Sequence, residues 1–370
     1  MCYNLFNNFF KEGVQYMKEI SVGLVGATGM VGLQFLKILG EKKFDIKNLY
    51  LFASKKTAGR KVNFAGKEIL VEELTENSFD REMDYAFFCA SGTISAKFAP
   101  IAAKKGVIVI DNSSHFRLAE DVPLIVPEVN PKAIEGHKNI IANPNCSTIQ
   151  AVVALGPINK HYGIKRVVIS TYQAVSGAGK EGINDLVTGN AKTSWQTQRL
   201  QDAINDLDHE MNPINLLAPH HKYELQAMPH YIAGNVVPYI GDIDPENGYS
   251  QEELKLMTET KKILELPELK ITATAIRVPV INGHSESINV ELEKSYQLEA
   301  LKMLLNTAPG MKVVDSPQPI QASGKDTVFA GRIRSDKTIN GVNLFLVADN
   351  LRKGAAANGI QIMELLINKN

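Results

Sequence analysis

The stretch ISVGLVGATGMVGLQFLKIL, from Ile20 to Leu39, decides the fold class. A run rich in β-branched residues, typical of a strand, leads into a turn with glycine at positions 26, 29 and 32 and then into a helical pattern. Glycines let a backbone approach a pyrophosphate, and a helix N-terminus supplies N–H donors to it. The spacing is G-x-x-G-x-x-G rather than the commoner G-x-G-x-x-G, so a tight turn without a ligand stays open on this motif alone. The context of strand, turn and helix favours a dinucleotide-binding fold.

The residues after the next predicted strand, Asn48–Ala53, indicate which dinucleotide would bind. Enzymes that use NAD usually carry Asp or Glu at the end of this strand, where it holds the ribose hydroxyls. Here the chain continues as SKKTAGR from Ser54 to Arg60, with three cations and no acid. Since a carboxylate would repel a 2′-phosphate, whereas the hydroxyls and a lysine such as Lys56 would bind it, the sequence predicts NADP. A solvated basic turn is the alternative.

Two further apolar runs, Tyr85–Ala90 and Val107–Asp111, continue the alternation of strands and helices. Their nearly continuous apolar character is typical of parallel strands covered on both faces. The predicted fold class is therefore α/β, with a doubly wound parallel sheet of the Rossmann type. Cys89 lies within the first of these runs, and we expect it to be inert core.

The composition excludes several classes of protein. The 370 residues hold 40 Lys and Arg against 40 Asp and Glu, and this balance argues against nucleic-acid and membrane-surface binding. The length suggests about two domains. Three cysteines without metal-ligand spacing predict no metal site and a cytoplasmic location. No apolar run approaches the roughly 20 residues that a membrane span requires.

A cysteine at a predicted helix start is the candidate nucleophile. Pro144 favours extended backbone before it, Asn145 is a good cap residue, and an apolar run follows Thr148. Cys146 would then lie among free backbone N–H groups at the positive end of a helix, which lowers the pKa of a thiol. The alternative is a buried structural cysteine. We expect a thiolate that is available near neutral pH.

Polar residues suited to thiol chemistry follow further along the chain. Gln173 stands in a loop of small residues that could pass close to a bound ring or thioester. Arg277 belongs to an apolar segment, which rarely carries Arg without an anion to meet. His284 follows in a turn, where we expect the imidazole to face a cleft and to act as a proton-transfer partner. A lone histidine is more often structural.

Glu252 and Lys255 share one face of a polar helix that is predicted to begin after Ser250. From the residues alone, a solvated ion pair on the protein surface is the favoured interpretation of these two side chains.

Taken together in order, seven blocks of this sequence resemble the aspartate-semialdehyde dehydrogenases, of the type found in Gram-positive bacteria. The resemblance runs from about Ile20 to the C-terminus and is weak between Lys180 and Tyr231. The blocks that carry it are GATG at Gly26, DNSSHFR at Asp111, VPEVN at Val126, PNCST at Pro144, QAVSGAG at Gln173, RVP at Arg277 with HSES at His284, and DNL at Asp349 with KGAA at Lys353.

The resemblance implies a role for each candidate site residue. Cys146 would form an acyl thioester, His284 would be the acid/base, and Gln173 would orient the intermediate. Arg277 would bind the substrate α-carboxylate, and Glu252 its α-ammonium, in place of the surface ion pair.

Further residues are implied to bind the phosphate and the cofactor. Arg117 and Lys255, with Asn145 nearby, would bind the phosphate. The implied contacts to NADP are spread over several segments: Gly26, Thr28, Gly29, Met30, Val31, Ser54, Lys56, Thr57, Ser176, Gly177 and Asn350. Lys56 replaces an Arg common in the family, which keeps the charge and loses a bidentate grip on the 2′-phosphate.

The implied reaction is the NADPH-dependent reductive dephosphorylation of L-aspartyl 4-phosphate to L-aspartate 4-semialdehyde, a step toward lysine, threonine, methionine and diaminopimelate. The nearest alternative is an N-acetyl-glutamyl-phosphate reductase, whose substrate has no free ammonium for Glu252. A phosphorylating glyceraldehyde-type dehydrogenase would usually use NAD. A non-catalytic NADP-binding sensor would be expected to lack Cys146 or His284.

The resemblance also implies a domain organisation and a partner. Residues 18 to 146 would form the NADP-binding domain, completed by a terminal segment from 349 to 370. Residues 147 to 348 would form a second α/β domain with a mixed sheet, like the C-terminal domain of glyceraldehyde-phosphate dehydrogenase. We expect this domain to form a homodimer, or a dimer of dimers. Residues 1 to 17 resemble no signal peptide, and we expect a disordered leader or an artefact of an upstream start before Met17.

Overall fold

The computed structural model describes residues 19 to 206 and 223 to 369, with side chains from 193 to 206 excepted. The expected leader at residues 1 to 17 lies outside the described residues, as does part of the segment between Lys180 and Tyr231.

The first half of the chain builds a seven-stranded sheet in the order β3-β4-β2-β1-β5-β6-β7. Its neighbouring strands are parallel except for the antiparallel pair β3 and β4. The strands are β1 Ile20–Val25, β2 Ile46–Ala53, β3 Lys61–Phe64, β4 Lys67–Glu73, β5 Tyr85–Phe88, β6 Ile108–Asp111 and β7 Ile140–Ala142. Helix α1 is Met30–Lys42 and α2 is Gly92–Lys104. The predicted doubly wound sheet is confirmed.

Cofactor-binding geometry follows from this strand order. The chain passes from β1 to β2 on one side and later to β5 on the other side, so the direction of winding reverses at β1. Open α/β sheets bind ligands in the crevice outside the carboxyl ends of the strands at such a point. The glycine-rich turn that begins at Gly26 directly follows β1. Cys89 comes immediately after β5, partly exposed, rather than in the middle of a strand as expected.

The second sheet has six strands in the order β11-β12-β13-β10-β8-β9 and is mixed, as predicted. Its strands are β8 Ile164–Gln173, β9 Lys270–Arg277, β10 His284–Leu292, β11 Met311–Val313, β12 Val328–Ser335 and β13 Gly341–Ala348. The helices after β7 are α3 Cys146–Tyr162, α4 Gly179–Asp206, α5 Gln251–Leu264, α6 Leu298–Thr307, α7 Pro319–Ala322 and α8 Ala357–Lys369. A π-helical turn, Arg352–Ala356, leads into α8.

Helix α3 lies in the core beneath the second sheet. Its run from Ile149 to Leu155 is buried on every side, and this run belongs to the same apolar cluster as strands β8, β10 and β13 and helices α5 and α6. A helix that is apolar all round is a buried helix. Its packing therefore fixes the position of Cys146 at its first turn.

Helix α8 returns to the first sheet. Ile360, Met363 and Leu366 join the apolar cluster that contains Phe35 of α1 and Ile110 of β6. This packing agrees with the expected return of the terminal segment, whereas the domain bounds at 146 and 348 stay a prediction. Among the described residues, no helix has both the length and the apolar character to cross a membrane.

Candidate active site

Cys146 occupies the first position of helix α3, as the sequence predicted. The cap residue Asn145 has extended backbone, and its Oδ1 accepts hydrogen bonds from the backbone N–H groups of Ser147 at 2.9 Å and Thr148 at 3.3 Å. Pro144 before it explains the extended approach. The thiol thus lies at the positive end of a long buried helix.

The predicted low pKa of this thiol is wrong for the structure. Burial raises the pKa of the Cys146 thiol to about 12, and the Glu252 carboxylate raises it further. The guanidinium groups of Arg277 and Arg117 and the backbone N–H of Ser147 act in the opposite direction. Desolvation of a thiolate among close-packed atoms therefore outweighs the helix N-terminus, and these charged groups all lie within electrostatic reach of one sulfur.

The π-helical turn packs against Cys146. A Cβ placed on Gly354 would lie 2.8 Å from Cβ of Cys146 and 3.2 Å from its Cα, so only glycine allows this approach. The neighbouring Lys353 is completely buried, and its Nζ lies 2.7 Å from Oε1 of Glu128 and 2.8 Å from Oε1 of Gln361. This buried ion pair holds the turn against the thiol.

His284 is the first residue of β10 and is fully buried, so the expectation of an exposed turn is wrong. Its Nδ1 lies 3.1 Å from the backbone N of Ala174. Because a backbone N–H only donates, Nδ1 accepts and the neutral ring carries its proton on Nε2. Burial, together with the charge of Arg277, holds the pKa of His284 well below its usual range. Nε2 has no partner among the described residues, and it lies 3.4 Å from the position of a Cβ on Gly177.

Arg277 and Glu252 place opposite charges in the same buried region. Arg277 ends β9, and its Nη1 donates to the carbonyl of Ala174 at 2.8 Å. Glu252 lies in the first turn of α5 and is 7% exposed, so the surface interpretation is wrong. Its Oε1 accepts from Nδ2 of Asn145 at 2.8 Å and from Nε2 of Gln173 at 3.2 Å. Gln173 ends β8 rather than standing in the loop after it.

Lys255 continues the charged face of α5 toward solvent. Its Nζ lies 3.6 Å from Oε2 of Glu252, and its side chain is 34% exposed. An ammonium at this distance and exposure stays free to meet a second anion.

Arg117 is buried, with three of its donors committed to the protein. Nε donates to the carbonyl of Asn143 at 3.0 Å, Nη2 to that of Asn112 at 2.9 Å, and Nη1 to Oε1 of Glu259 at 3.0 Å. The sequence reasoning missed Glu259. Its spacing of seven residues from Glu252, on the same face of a helix, was the available signal.

The glycine-rich turn has the form of an anion-binding site. Gly26 has a φ of +82°, and a Cβ there would lie 2.3 Å from the carbonyl oxygen of Cys89. A Cβ on Gly32 would lie 2.3 Å from the carbonyl oxygen of Gly26. Gly29 caps α1 without a side-chain hydrogen bond, so the first N–H groups of this helix keep their donors for a ligand. Met30 and Val31, partly exposed, form the first turn.

The basic turn after β2 lies beside the glycine-rich turn. The hydroxyl of Thr28 donates to that of Thr57 at 3.5 Å, and Thr57 in turn donates to the carbonyl of Ser54 at 3.4 Å. Ser54 and Lys56 are exposed. Hydroxyl groups and an ammonium therefore lie beside the end of β2, and β2 itself carries no carboxylate.

The remaining candidate cofactor residues meet next to His284. Oδ1 of Asn350 accepts from the backbone N of Gly283 at 2.9 Å, and its Nδ2 donates to the hydroxyl of Ser176 at 3.0 Å. Gly177 faces Arg277, because a Cβ on it would lie 2.9 Å from Nη1 of that residue. Within the described parts of the chain, no cluster of His, Cys, Asp and Glu side chains could hold a metal ion.

Comparison with known proteins identifies relatives of this chain. Residues 21–137 match the family model "Semialdehyde dehydrogenase, NAD binding domain", and residues 155–353 match "Semialdehyde dehydrogenase, dimerisation domain". The aspartate-semialdehyde dehydrogenase of Aquifex aeolicus is 48% identical over 94% of this chain and 97% of its own length.

Two solved structures share the architecture. The aspartate semialdehyde dehydrogenase II of Vibrio cholerae complexed with ASA has a TM-score of 0.83 and 41% identity, covering 95% of this chain and 99% of that one. The enzyme of Candida albicans with NADP has a TM-score of 0.70 and 26% identity, covering 94% and 98%. With both family models in order and identity along almost the whole length, the chain belongs to the aspartate-semialdehyde dehydrogenase family.

Proposed function

We propose that this chain converts L-aspartyl 4-phosphate to L-aspartate 4-semialdehyde and phosphate with NADPH, through an acyl thioester on Cys146. One observation supports this above the others. A thiol at a helix N-terminus lies within electrostatic reach of a buried carboxylate, Glu252, and of two buried guanidinium groups, those of Arg277 and Arg117. A small substrate with an ammonium, a carboxylate and a phosphate matches that set of charges.

Each charge of the substrate has a proposed partner. Arg277 binds the α-carboxylate. Burial lowers the pKa of its guanidinium because the cation has lost its hydration, and a bound anion compensates for that loss. Glu252 binds the α-ammonium, held in place by Asn145 and Gln173. Arg117 and Lys255 bind the phosphate. An N-acetylated substrate would bring no ammonium to Glu252, whose ion pair with the partly exposed Lys255 spans 3.6 Å, and this disfavours the glutamyl alternative.

The proposed chemistry begins with attack of the Cys146 sulfur on the acyl carbon. The bond from that carbon to the phosphate oxygen breaks, and phosphate leaves with the thiol proton, its remaining negative charge met by Arg117 and Lys255. Bound NADPH supplies the hydride that reduces the thioester. The resulting tetrahedral oxyanion collapses to the aldehyde as the sulfur leaves as a thiolate, which takes up a proton from solvent and restores the thiol.

His284 acts through its Nε2 proton. Since Nδ1 accepts from Ala174, the neutral ring offers Nε2–H to the oxygen that becomes negative in the tetrahedral species. This assignment replaces the expected acid/base near neutral pH, because burial and Arg277 keep the pKa of the ring low. Gln173 orients the intermediate from the end of β8.

NADP is the proposed form of the dinucleotide. The turn at Gly26 and Gly29 would hold the pyrophosphate against α1, and Ser54, Lys56 and Thr57 would hold the 2′-phosphate. On the nicotinamide side the proposed contacts are Ser176, Gly177 and Asn350. We further propose a homodimer formed through the second domain, with a dimer of dimers as the larger alternative.

An absorbance assay of the full-length protein tests the proposed function. Aspartate semialdehyde, phosphate and NADP should yield NADPH, whereas N-acetyl-glutamate semialdehyde, or NAD in place of NADP, should yield much less product. Cys146→Ala should abolish turnover and keep NADP binding. Residual activity within about tenfold of the wild type would refute the thioester route, because covalent catalysis would then contribute little.

A further inference from the structure

Helix α5 carries a row of four charged side chains, two of which accept hydrogen bonds from Asn145, the cap residue of α3. Glu252, Lys255, Glu259 and Lys262 follow one another at spacings of three and four residues, so they share one face. Lys262 donates from Nζ to three backbone carbonyls of the segment that contains Arg117. The proposed function uses the first two members of this row and leaves Glu259 without a role.

Glu259 joins two parts of the site through one carboxylate. It is 1% exposed, and its Oε1 accepts from Nη1 of Arg117 at 3.0 Å. Its Oε2 accepts from the backbone N of Asn145, the residue before Cys146, at 2.6 Å. Each oxygen thus has one donor, and a buried carboxylate with two donors holds both of them tightly.

We propose that Glu259 is a positioning residue for the acyl phosphate. Its carboxylate fixes the guanidinium of Arg117, which meets the leaving phosphate, relative to the backbone N–H of Asn145, the cap residue directly before Cys146. The other two bonds of Arg117 go to backbone carbonyls, so Glu259 is its charged partner within the described residues. The inference rests on the proposed function, since it needs Arg117 to bind phosphate.

The substitution Glu259→Gln tests this role. Glutamine replaces one carboxylate oxygen by an NH2 group, so the donor that faced that oxygen, on Arg117 or on Asn145, loses its acceptor. In the direction that consumes phosphate, KM for phosphate should rise on the order of tenfold, while KM for the semialdehyde changes less than about threefold.

Glu253→Gln is the matched control. Glu253 is a buried neighbour on α5 whose carboxylate also accepts two hydrogen bonds, here both from backbone N–H groups, of Ala275 at 2.8 Å and of Ser250 at 2.6 Å. The Glu253→Gln variant should lose about as much thermal stability as Glu259→Gln does. Its ratio of KM for phosphate to KM for the semialdehyde should stay that of the wild type. If Glu259→Gln fails to fold, Glu259→Asp keeps the charge, is one methylene shorter, and should show the same selective rise.

Measuring Glu259→Gln in an Arg117→Ala background distinguishes a failure of the positioning role from a failure of the proposed function. In that background, Glu259→Gln should change KM for phosphate by less than about threefold, because the shared partner is gone. Equal changes in both KM values, or an unchanged or lower KM for phosphate in Glu259→Gln, would overturn the positioning role alone. An unchanged KM for phosphate in Arg117→Ala itself would remove Arg117 from the proposed function, and the inference with it.

Discussion

Replacing Lys353 by Met should destabilise the protein more than any surface substitution. The Lys353 and Glu128 side chains are 0% and 2% exposed, and the pair is 2.7 Å apart. Removing one partner of a buried ion pair costs about 3–5 kcal/mol, because the other charge stays buried without compensation. Oε2 of Glu128 already has no partner among the described residues, so the carboxylate would keep a neutral donor, Nε2 of Gln361 at 2.9 Å from Oε1, in place of a cation.

The double substitution Lys353→Met with Glu128→Leu provides the comparison. It removes both charges, so it should recover at least half of the loss in the free energy of unfolding. Urea unfolding followed by circular dichroism measures both variants at one protein concentration. A loss below about 1 kcal/mol in the single variant, or no recovery in the double variant, would refute the reasoning.

Three further predictions concern the thiol and its surroundings. Gly354→Ala places a Cβ 2.8 Å from that of Cys146, so kcat should fall while the affinity for NADP stays the same. Initial rates and a cofactor titration measure the two quantities, and an unchanged kcat would contradict the close approach. Burial raises the pKa of Cys146 to about 12, so the rate of its alkylation by iodoacetamide in the free enzyme should rise about tenfold per pH unit across neutrality. The Cys146→Ser variant measures alkylation at other sites. A rate that reaches a plateau near neutral pH would show a lower thiol pKa. Arg277→Lys should raise KM for the semialdehyde because an ammonium cannot copy the planar fork of a guanidinium, and unchanged kinetics would remove Arg277 from the site.

Local patterns were enough to predict much of the site's framework. The glycine turn after β1, the cap at Asn145 and the start of α3 depend on neighbours in sequence, so the residues themselves indicate them. The basic turn after β2 likewise lies where the strand pattern places it.

Long-range packing decided what the sequence could not predict. The pKa of Cys146 depends on burial and on Glu252, which reaches it from a helix more than a hundred residues later. The sequence predicts a turn at His284, yet its pairing with Ala348 of β13 makes it the first residue of a strand. Glu259 and Lys353 have no predicted role from the sequence, and only the folded chain brings their buried partners to them.

The return of helix α8 to the first sheet has a consequence for how the chain matures on the ribosome. Its Ile360 and Met363 fill apolar space beside Phe35, a residue synthesised near the beginning of translation. The nascent N-terminal half therefore exposes this apolar surface until the second half has been synthesised. Chaperone binding during synthesis should concentrate on that half and end when α8 docks.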